Sequence, residues 1–387
     1  MRLLSFVLLF IGSFFSLNAQ QKLQIAAADV NSYLPLIKDK NVGLIINHTS
    51  TIGSTHLLDT LISLGVKVKK IFAPEHGFRG NVSAGTNIKS DVDSKTGLPI
   101  ISLYGKHKKP TKEELIGIDL LLFDIQDVGV RFYTYISTMH YGMEAAAEHN
   151  LSFVVLDRPN PNGHYFDGPI LDSSYRSFVG MHPIPLVHGC TVGELAKMIN
   201  GEGWLSNKMK CNLTVVPCIN YTHQTPYILP IKPSPNLQNQ SAIYLYPSLG
   251  LFEGTIMSMG HGTNKPYQCF GSDKLSWGNY VYRPASLKGI YENPKFLGYE
   301  CTGFDLTWYG DNKAYHEKEI NLNWLILSYQ LSNNKSAFFT DFFEKLAGTS
   351  ELRKQIINGK SAKDIKKTWQ EGLLNYSKIR DKYLIYN

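Results

Sequence analysis

Five short, unbroken apolar runs alternate with helical patterns in the first half of the chain, and this alternation restricts the fold more than any other feature. The runs cover residues 42–47 (VGLIIN), 66–72, 98–103, 119–125 (DLLLFDI) and 152–156. A strand with one wet face alternates polar and apolar side chains; a strand covered on both faces does not. Helix signals lie between the runs. Leu57, Leu58, Leu61 and Ile62 share one helical face that Gly65 terminates, Thr111 and Glu114 form a capping box, and residues 135–148 read as a longer helix stopped by Asn150. Such repetition gives a parallel sheet with helices on both faces. The expected fold class is α/β, with a Rossmann-like doubly wound N-terminal domain over residues 20–182.

Beyond Asp157 the texture changes. Residues 158–163 (RPNPNG) are turn chemistry throughout. Thr191 and Glu194 cap a helix reaching about Asn200, residues 213–216 read as a strand, and 226–235 are proline-rich and extended. Residues 315–331 mix helix formers with apolar spacing. The tail, 361–386, reads as helical with Ile365, Trp369, Leu373, Leu374 and Tyr383 facing inward. Residues 183–387 are thus expected to form an α+β domain with a smaller sheet that completes a cleft. The full length of 387 residues suits two domains.

The net charge is +7, but the basic residues are scattered and form no arginine-rich stripe, so no nucleic-acid partner is expected. A mild positive field suits an anionic polymer. Residues 1–19 read as a signal peptide: Arg2 starts it, 3–17 are almost wholly apolar, and Ala19 offers a cleavage point. The apolar run is too short for a spanning helix. A periplasmic or secreted protein is expected, with no stable membrane anchor after cleavage; an uncleaved N-terminal anchor is the alternative. Of the five cysteines, Cys211 and Cys218 could bridge a hairpin. No CxxC spacing or HExxH motif occurs, and neither a metal nor another cofactor is expected.

In an open α/β sheet, ligands bind outside the carboxyl ends of the strands. The residues expected there are Asn47 and His48 after the first strand, Glu75 and His76 after the second, and Tyr104 after the third. The fourth strand ends in Asp124, Gln126 and Asp127, followed by Arg131 and Tyr133, and the fifth is followed by Arg158 and Asn160. The opposite ends carry ordinary turns. Glu75 is the candidate general acid, because a carboxyl beside Phe72 and Phe78 has its pKa raised; a solvated loop glutamate is the plainer reading. A glycosidase needs two carboxylates, and Asp124, Asp127 and Glu253 are the candidate partners. Asp127 could instead serve a structural ion pair with Arg131. An N-acetylated sugar could also use its own acetamido oxygen, with the second carboxylate orienting it.

The run Phe72-Ala73-Pro74-Glu75-His76-Gly77-Phe78 resembles the signature of the exo-β-N-acetylmuramidase family, once known only as a domain of unknown function. Residues 102–105 (SLYG), 123–135 (FDIQDVGVRFYTY), 156–161 (LDRPNP), 177–180 (SFVG), 233–236 (PSPN) and 252–255 (FEGT) extend the resemblance, in order, over nearly the whole chain. It implies a Rossmann-like domain and an α/β domain with the active site between them. It also implies release of N-acetylmuramic acid from non-reducing ends of peptidoglycan fragments, with Glu75 catalytic and no metal or nucleotide. One stretch departs: Gly260-His261-Gly262-Thr263 stands where the resemblance leads one to expect Gly-Arg-Gly-Thr. Recognition of the substrate's lactyl carboxylate then falls to a protonated His261, or to Arg131, Lys265 or Arg79. An exported carbohydrate-binding protein with little or no catalysis is the competing reading, and a cell-wall amidase or esterase a third, disfavoured by the missing nucleophile motif.

Overall fold

The computed structural model of the protein describes residues 22–78, 91–276 and 278–386. The expected signal segment, 1–19, and Arg79 lie outside the described residues.

The apolar runs become strands to within a residue or two. One seven-stranded sheet contains β1 (Asn41–Ile46), β2 (Lys67–Ala73), β3 (Asp91–Val92), β4 (Pro99–Ser102), β5 (Leu120–Asp124), β6 (Ser152–Leu156) and β7 (Asn212–Val216). Their order is β3-β4-β2-β1-β5-β6-β7. All pairings are parallel except that of the edge strand β3 with β4. Without β3, the six parallel strands follow the doubly wound order, which reverses direction between β1 and β5. Successive side chains serve opposite faces. In β5, Leu121 and Phe123 join the core beneath α3 (Tyr135–Glu148) and α4 (Val192–Gly201). Leu120 and Leu122 join the core beneath α1 (Val30–Ile37) and α2 (Leu57–Ser63).

The sheet does not stop where the turn-rich stretch suggested. Strand β7 pairs in parallel with β6 over five residue positions, and α4, started by the Thr191–Glu194 capping box, is its crossover. The N-terminal unit therefore runs past the expected boundary at 182/183. Residues 158–163 are a buried loop of that unit: the Asn162 amide donates to the carbonyls of Val128 and Ile243. The Thr111–Glu114 box also closes, yet only turns follow it.

The second half carries α5 (Gln240–Leu249) and an antiparallel sheet of β8 (Cys269–Ser272), β9 (Tyr280–Tyr282) and β10 (Cys301–Asp305), with β10 central. The expected helix over 315–331 is two, Ala314–Glu317 and Asn323–Leu331, separated after the left-handed Lys318. The tail helices Ala362–Lys367 and Gln370–Arg380 break at Thr368 and Trp369. Ile365, Trp369 and Leu373, four residues apart on one face, are buried, whereas Leu374, about 100° round the helix from Leu373, is 59% exposed. All five cysteines are buried and unpaired. Cys211 and Cys218 flank β7 at opposite ends, and an extended strand holds such residues far beyond disulfide reach.

The tail returns to the first unit. The Tyr386 hydroxyl donates to Asp157 at 2.7 Å and accepts from the Cys218 amide at 2.8 Å. The amides of Ile385 and Tyr386 donate to Glu194.

Candidate active site

Strand β2 delivers Ala73 and Pro74 to the carboxyl edge, where the chain reverses: the Gly77 amide donates to the Pro74 carbonyl at 3.0 Å. Glu75 and His76 are the central residues of this turn. His76 has φ +68° and Gly77 φ +75°. Glycine adopts such values freely, whereas a histidine there is strained and must be held by its surroundings. The turn aims Glu75 at the start of α3. The Thr134 hydroxyl donates to Glu75 Oε2 at 2.7 Å. Thr134 immediately precedes α3 but makes no cap bond to it, so its hydroxyl serves the glutamate. The outward amides at that helix start add a partial positive charge beside the carboxylate.

A second carboxylate faces the first from the other half. Glu253 lies in a 3-10 turn, Gly250–Gly254, directly after α5. The Tyr267 hydroxyl donates to its Oε1 at 2.5 Å. Tyr267 is the other strained wall residue, with φ +57°. Burial pushes the Glu253 carboxyl above the usual carboxylate range and the charge of Glu75 adds to this, while Tyr267 and the Lys295 ammonium oppose it.

Between them is a cavity of about 280 Å³. Glu75, His76, Tyr104 and Tyr133 come from the loops after β2, β4 and β5, and Tyr135 from the first residue of α3; Tyr246, Glu253, His261, Tyr267 and Tyr291 come from the second half. The volume is at the small end for ligand sites and holds about one sugar ring. Aromatic side chains dominate the wall and offer faces for stacking on a pyranose. Burial drives the hydroxyls of Tyr133, Tyr135, Tyr246 and Tyr267 to pKa values far above neutral, so all four stay protonated. Tyr133 and Tyr135 both donate to the Pro233 carbonyl, which holds the 233–236 turn at the cavity edge.

The structure separates the expected site residues into two groups. Glu75, His76, Tyr104, Tyr133, Glu253 and His261 line the cavity. Asp124, Asp127, Asn47, Gln126, Arg131, Arg158 and Asn160 do not. Asp124 is committed to Arg158, with bonds of 2.5 and 2.9 Å, both side chains buried. Removing either would strand a buried charge, and this pair braces β5 against the loop after β6. Asp127 accepts from the Gly129 amide and His188, not from Arg131. Asn47 accepts from Thr49, and Thr49 Oγ1 accepts from the Gln126 amide, knitting the ends of β1 and β5 together. Gln126 donates to the carbonyls of Asp127 and Pro159. Asn160 donates to the Cys190 carbonyl and packs so tightly on Gly129 that a Cβ there would lie 2.3 Å from it. Arg131 is fully buried and donates to the carbonyls of Pro169, Ile184, Leu346 and Ala347, tying the first unit to the end of helix α6 (Phe343–Ala347).

Of the remaining lactyl candidates among the described residues, His261 lines the cavity and Lys265 does not. Lys265 is ion-paired to Asp305 and lies over the Tyr280 ring. Burial and the nearby Lys295 ammonium push His261 down to about 3, so its ring is neutral. Thr134, Tyr246, Tyr267, Tyr291 and Lys295 were not singled out in the sequence. Among the described residues, no group of three or more His, Cys, Asp or Glu could hold a metal ion, and no helix is long and apolar enough to cross a membrane.

A doubly wound sheet whose carboxyl-edge loops meet a second unit around a tyrosine-walled, sugar-sized cavity with two facing carboxylates defines a glycosidase-like site. Comparison with known proteins gives the family. Residues 42–241 match the N-terminal domain of exo-β-N-acetylmuramidase NamZ and residues 244–386 match its C-terminal domain. A Bacillus subtilis (strain 168) protein named peptidoglycan β-N-acetylmuramidase NamZ is 40% identical over 379 residues, spanning 92% of this chain and 89% of that protein. Two crystal structures of DUF1343 family proteins from Bacteroides fragilis are also similar. One has a TM-score of 0.88 at 48% identity, covering 95% of this chain and 99% of its own. The other has a TM-score of 0.74 at 30% identity, covering 94% and 99%. The chain belongs to the exo-β-N-acetylmuramidase family. Its two matched regions meet at the start of α5, the point from which the cavity receives its second set of walls.

Proposed function

We propose that this chain is an exo-acting glycosidase that releases N-acetylmuramic acid from non-reducing ends of peptidoglycan fragments, with Glu75 and Glu253 as its two working carboxylates. The observation that carries the proposal is the unequal setting of this pair around one cavity. Glu75 accepts a hydroxyl hydrogen bond from Thr134 at a helix start. Glu253 is desolvated and pushed up by the neighbouring carboxylate. Two carboxyls whose surroundings differ in this way divide naturally into proton donor and anion.

Glu253 then protonates the leaving-group oxygen as the glycosidic bond breaks. Glu75 stabilises the developing oxocarbenium charge, by attacking carbon, by activating water, or by orienting the substrate's own acetamido group. The acid role that the sequence suggested for Glu75 passes, in this reading, to Glu253, which, having given up its proton, can take one back from the incoming water. A cavity that holds about one ring suits removal of a terminal sugar. Export through the N-terminal apolar segment, which remains part of the proposal, would bring the enzyme to its polymer.

The test is incubation with a chromogenic N-acetylmuramide beside the matching N-acetylglucosaminide. Turnover of the muramide is expected, together with its loss in Glu75→Gln while circular dichroism shows an intact fold. Hydrolysis of neither sugar by the wild type, or unchanged turnover by the variant, overturns the assignment.

A further inference from the structure

A second chamber of about 240 Å³ adjoins the cavity. The two share Glu253, His261, Tyr291 and Phe342, so they are compartments of one cleft. Lys295 is the single lysine or arginine among the described residues lining either compartment. Its ammonium donates to the carbonyls of Thr255 at 2.5 Å, Met257 at 3.2 Å, Glu253 at 3.3 Å and Phe252 at 3.4 Å. These carbonyls fix the ammonium in place but do not neutralise it. The nearby Glu253 charge attracts it without an ion-pair contact.

His261 forms the other wall. Its ring stacks on Tyr291 with centroids 4.2 Å apart and meets the Tyr267 ring edge-on at 5.0 Å. It is 5% exposed, and Nε2 has no hydrogen-bond partner among the described residues. A buried ring nitrogen without a partner in a chamber beside a catalytic cavity is poised for a ligand atom. As the ring is neutral, it carries one N–H, which the Nε2 tautomer would direct at an acceptor.

We propose that this chamber seats the 3-O-lactyl carboxylate of the substrate's muramoyl ring, drawn in by the positive charge of the Lys295 ammonium and accepting from the His261 Nε2–H. The inference rests on the muramidase reading above. The lactyl group is what distinguishes N-acetylmuramic acid from N-acetylglucosamine, and its carboxylate needs donors, one of them charged. Arg131, Arg158 and Lys265 line neither compartment. Glu253 shares the chamber and is repelled by an incoming carboxylate. That repulsion favours the protonated form of Glu253, so the correct sugar helps to keep the donor's proton in place.

The test is calorimetric titration of the wild-type enzyme with N-acetylmuramic acid, its lactyl methyl ester and N-acetylglucosamine. A charge-assisted grip makes the acid bind about ten- to hundredfold more tightly than the neutral ester. Lys295→Met is expected to bring the acid-to-ester ratio near one, and Lys295→Arg to restore part of it. Equal binding of acid and ester by the wild type overturns the assignment, and this arm needs no variant to fold. An unchanged ratio in Lys295→Met, with both ligands weakened alike, also overturns it and leaves Lys295 a clamp on the Glu253 turn. The muramide assay separates the two failures. A wild type that hydrolyses the muramide yet ignores the lactyl charge loses only the chamber, whereas one that neither hydrolyses it nor binds the acid loses the muramidase reading as well.

Discussion

Replacing Glu253 by glutamine isolates the proton donor. The amide matches the carboxyl in size and keeps an oxygen for the Tyr267 hydroxyl, whose 2.5 Å bond anchors the turn, so the fold is expected to hold. What is lost is the proton. General-acid catalysis contributes about 10²- to 10⁴-fold, or roughly 3–5 kcal/mol of barrier. The size of the loss depends on how much the leaving group needs protonation. A sugar alcohol needs it fully, whereas nitrophenolate leaves unaided. With a muramoyl disaccharide, kcat/KM is therefore expected to fall by about 10²- to 10⁴-fold, and with the nitrophenyl muramide by less than about tenfold. Glu75→Gln is expected to fail on both substrates. Because burial raises the Glu253 carboxyl, the wild-type rate falls on the alkaline side as this proton leaves, and that limb disappears in Glu253→Gln. Equal losses on both substrates in Glu253→Gln, with leaving-group sensitivity in Glu75→Gln instead, would show that the roles are reversed.

Thr134→Val removes one 2.7 Å hydrogen bond to the Glu75 carboxylate without uncapping α3, and is expected to lower kcat/KM about ten- to hundredfold with unchanged thermal stability; wild-type kinetics would show that the hydroxyl does not position Glu75. Arg131→Met leaves the carbonyls of Pro169, Leu346 and Ala347 without that donor and Ile184 with only the Leu171 amide, and urea unfolding is expected to show a loss of about 3–5 kcal/mol. A loss below about 1 kcal/mol would mean that water takes over these carbonyls. Burial lowers Lys295 to about 8, with Glu253 opposing, so the ammonium is present below that pH and lost above it. Affinity for N-acetylmuramic acid is then expected to fall as pH rises through about 8, in a chamber whose other titratable walls are Glu253, His261 and Tyr291. An affinity that stays constant to pH 9 would contradict this.

The strands buried on both faces were readable because an unbroken apolar run leaves little room for another interpretation. Strand β7 was readable as a strand over 213–216, but its place in the large sheet was not, for the opposite reason. It is an edge strand whose first four residues are exposed or half-buried, so it carries no such run, and the asparagine–proline turns before it looked like a boundary. The polar crowding at the carboxyl edge was real, but two kinds of polarity occupy it. Asp124, Gln126, Asn160 and Arg158 satisfy buried groups of the loops themselves, and in sequence they look like Glu75 and His76. Asp124 meets its partner across 34 residues, a separation that no local pattern encodes. The choice among Asp124, Asp127 and Glu253 needed the second unit in place. Lys295 sits in a loop with no motif around it, and only the fold brings it to the cleft.

Tyr386, held between Asp157 and Cys218, has a consequence for how the molecule comes into being. A ribosome completes every strand of the large sheet long before it adds the tyrosine that bonds beside β6 and β7. The emerging first unit must therefore wait with that corner unlatched, and it cannot be made as a free-standing piece without leaving Asp157 short of a donor. Cutting the gene between the two matched regions is the wrong way to obtain half an enzyme. The natural unit of production, and of engineering, is the polypeptide through residue 386.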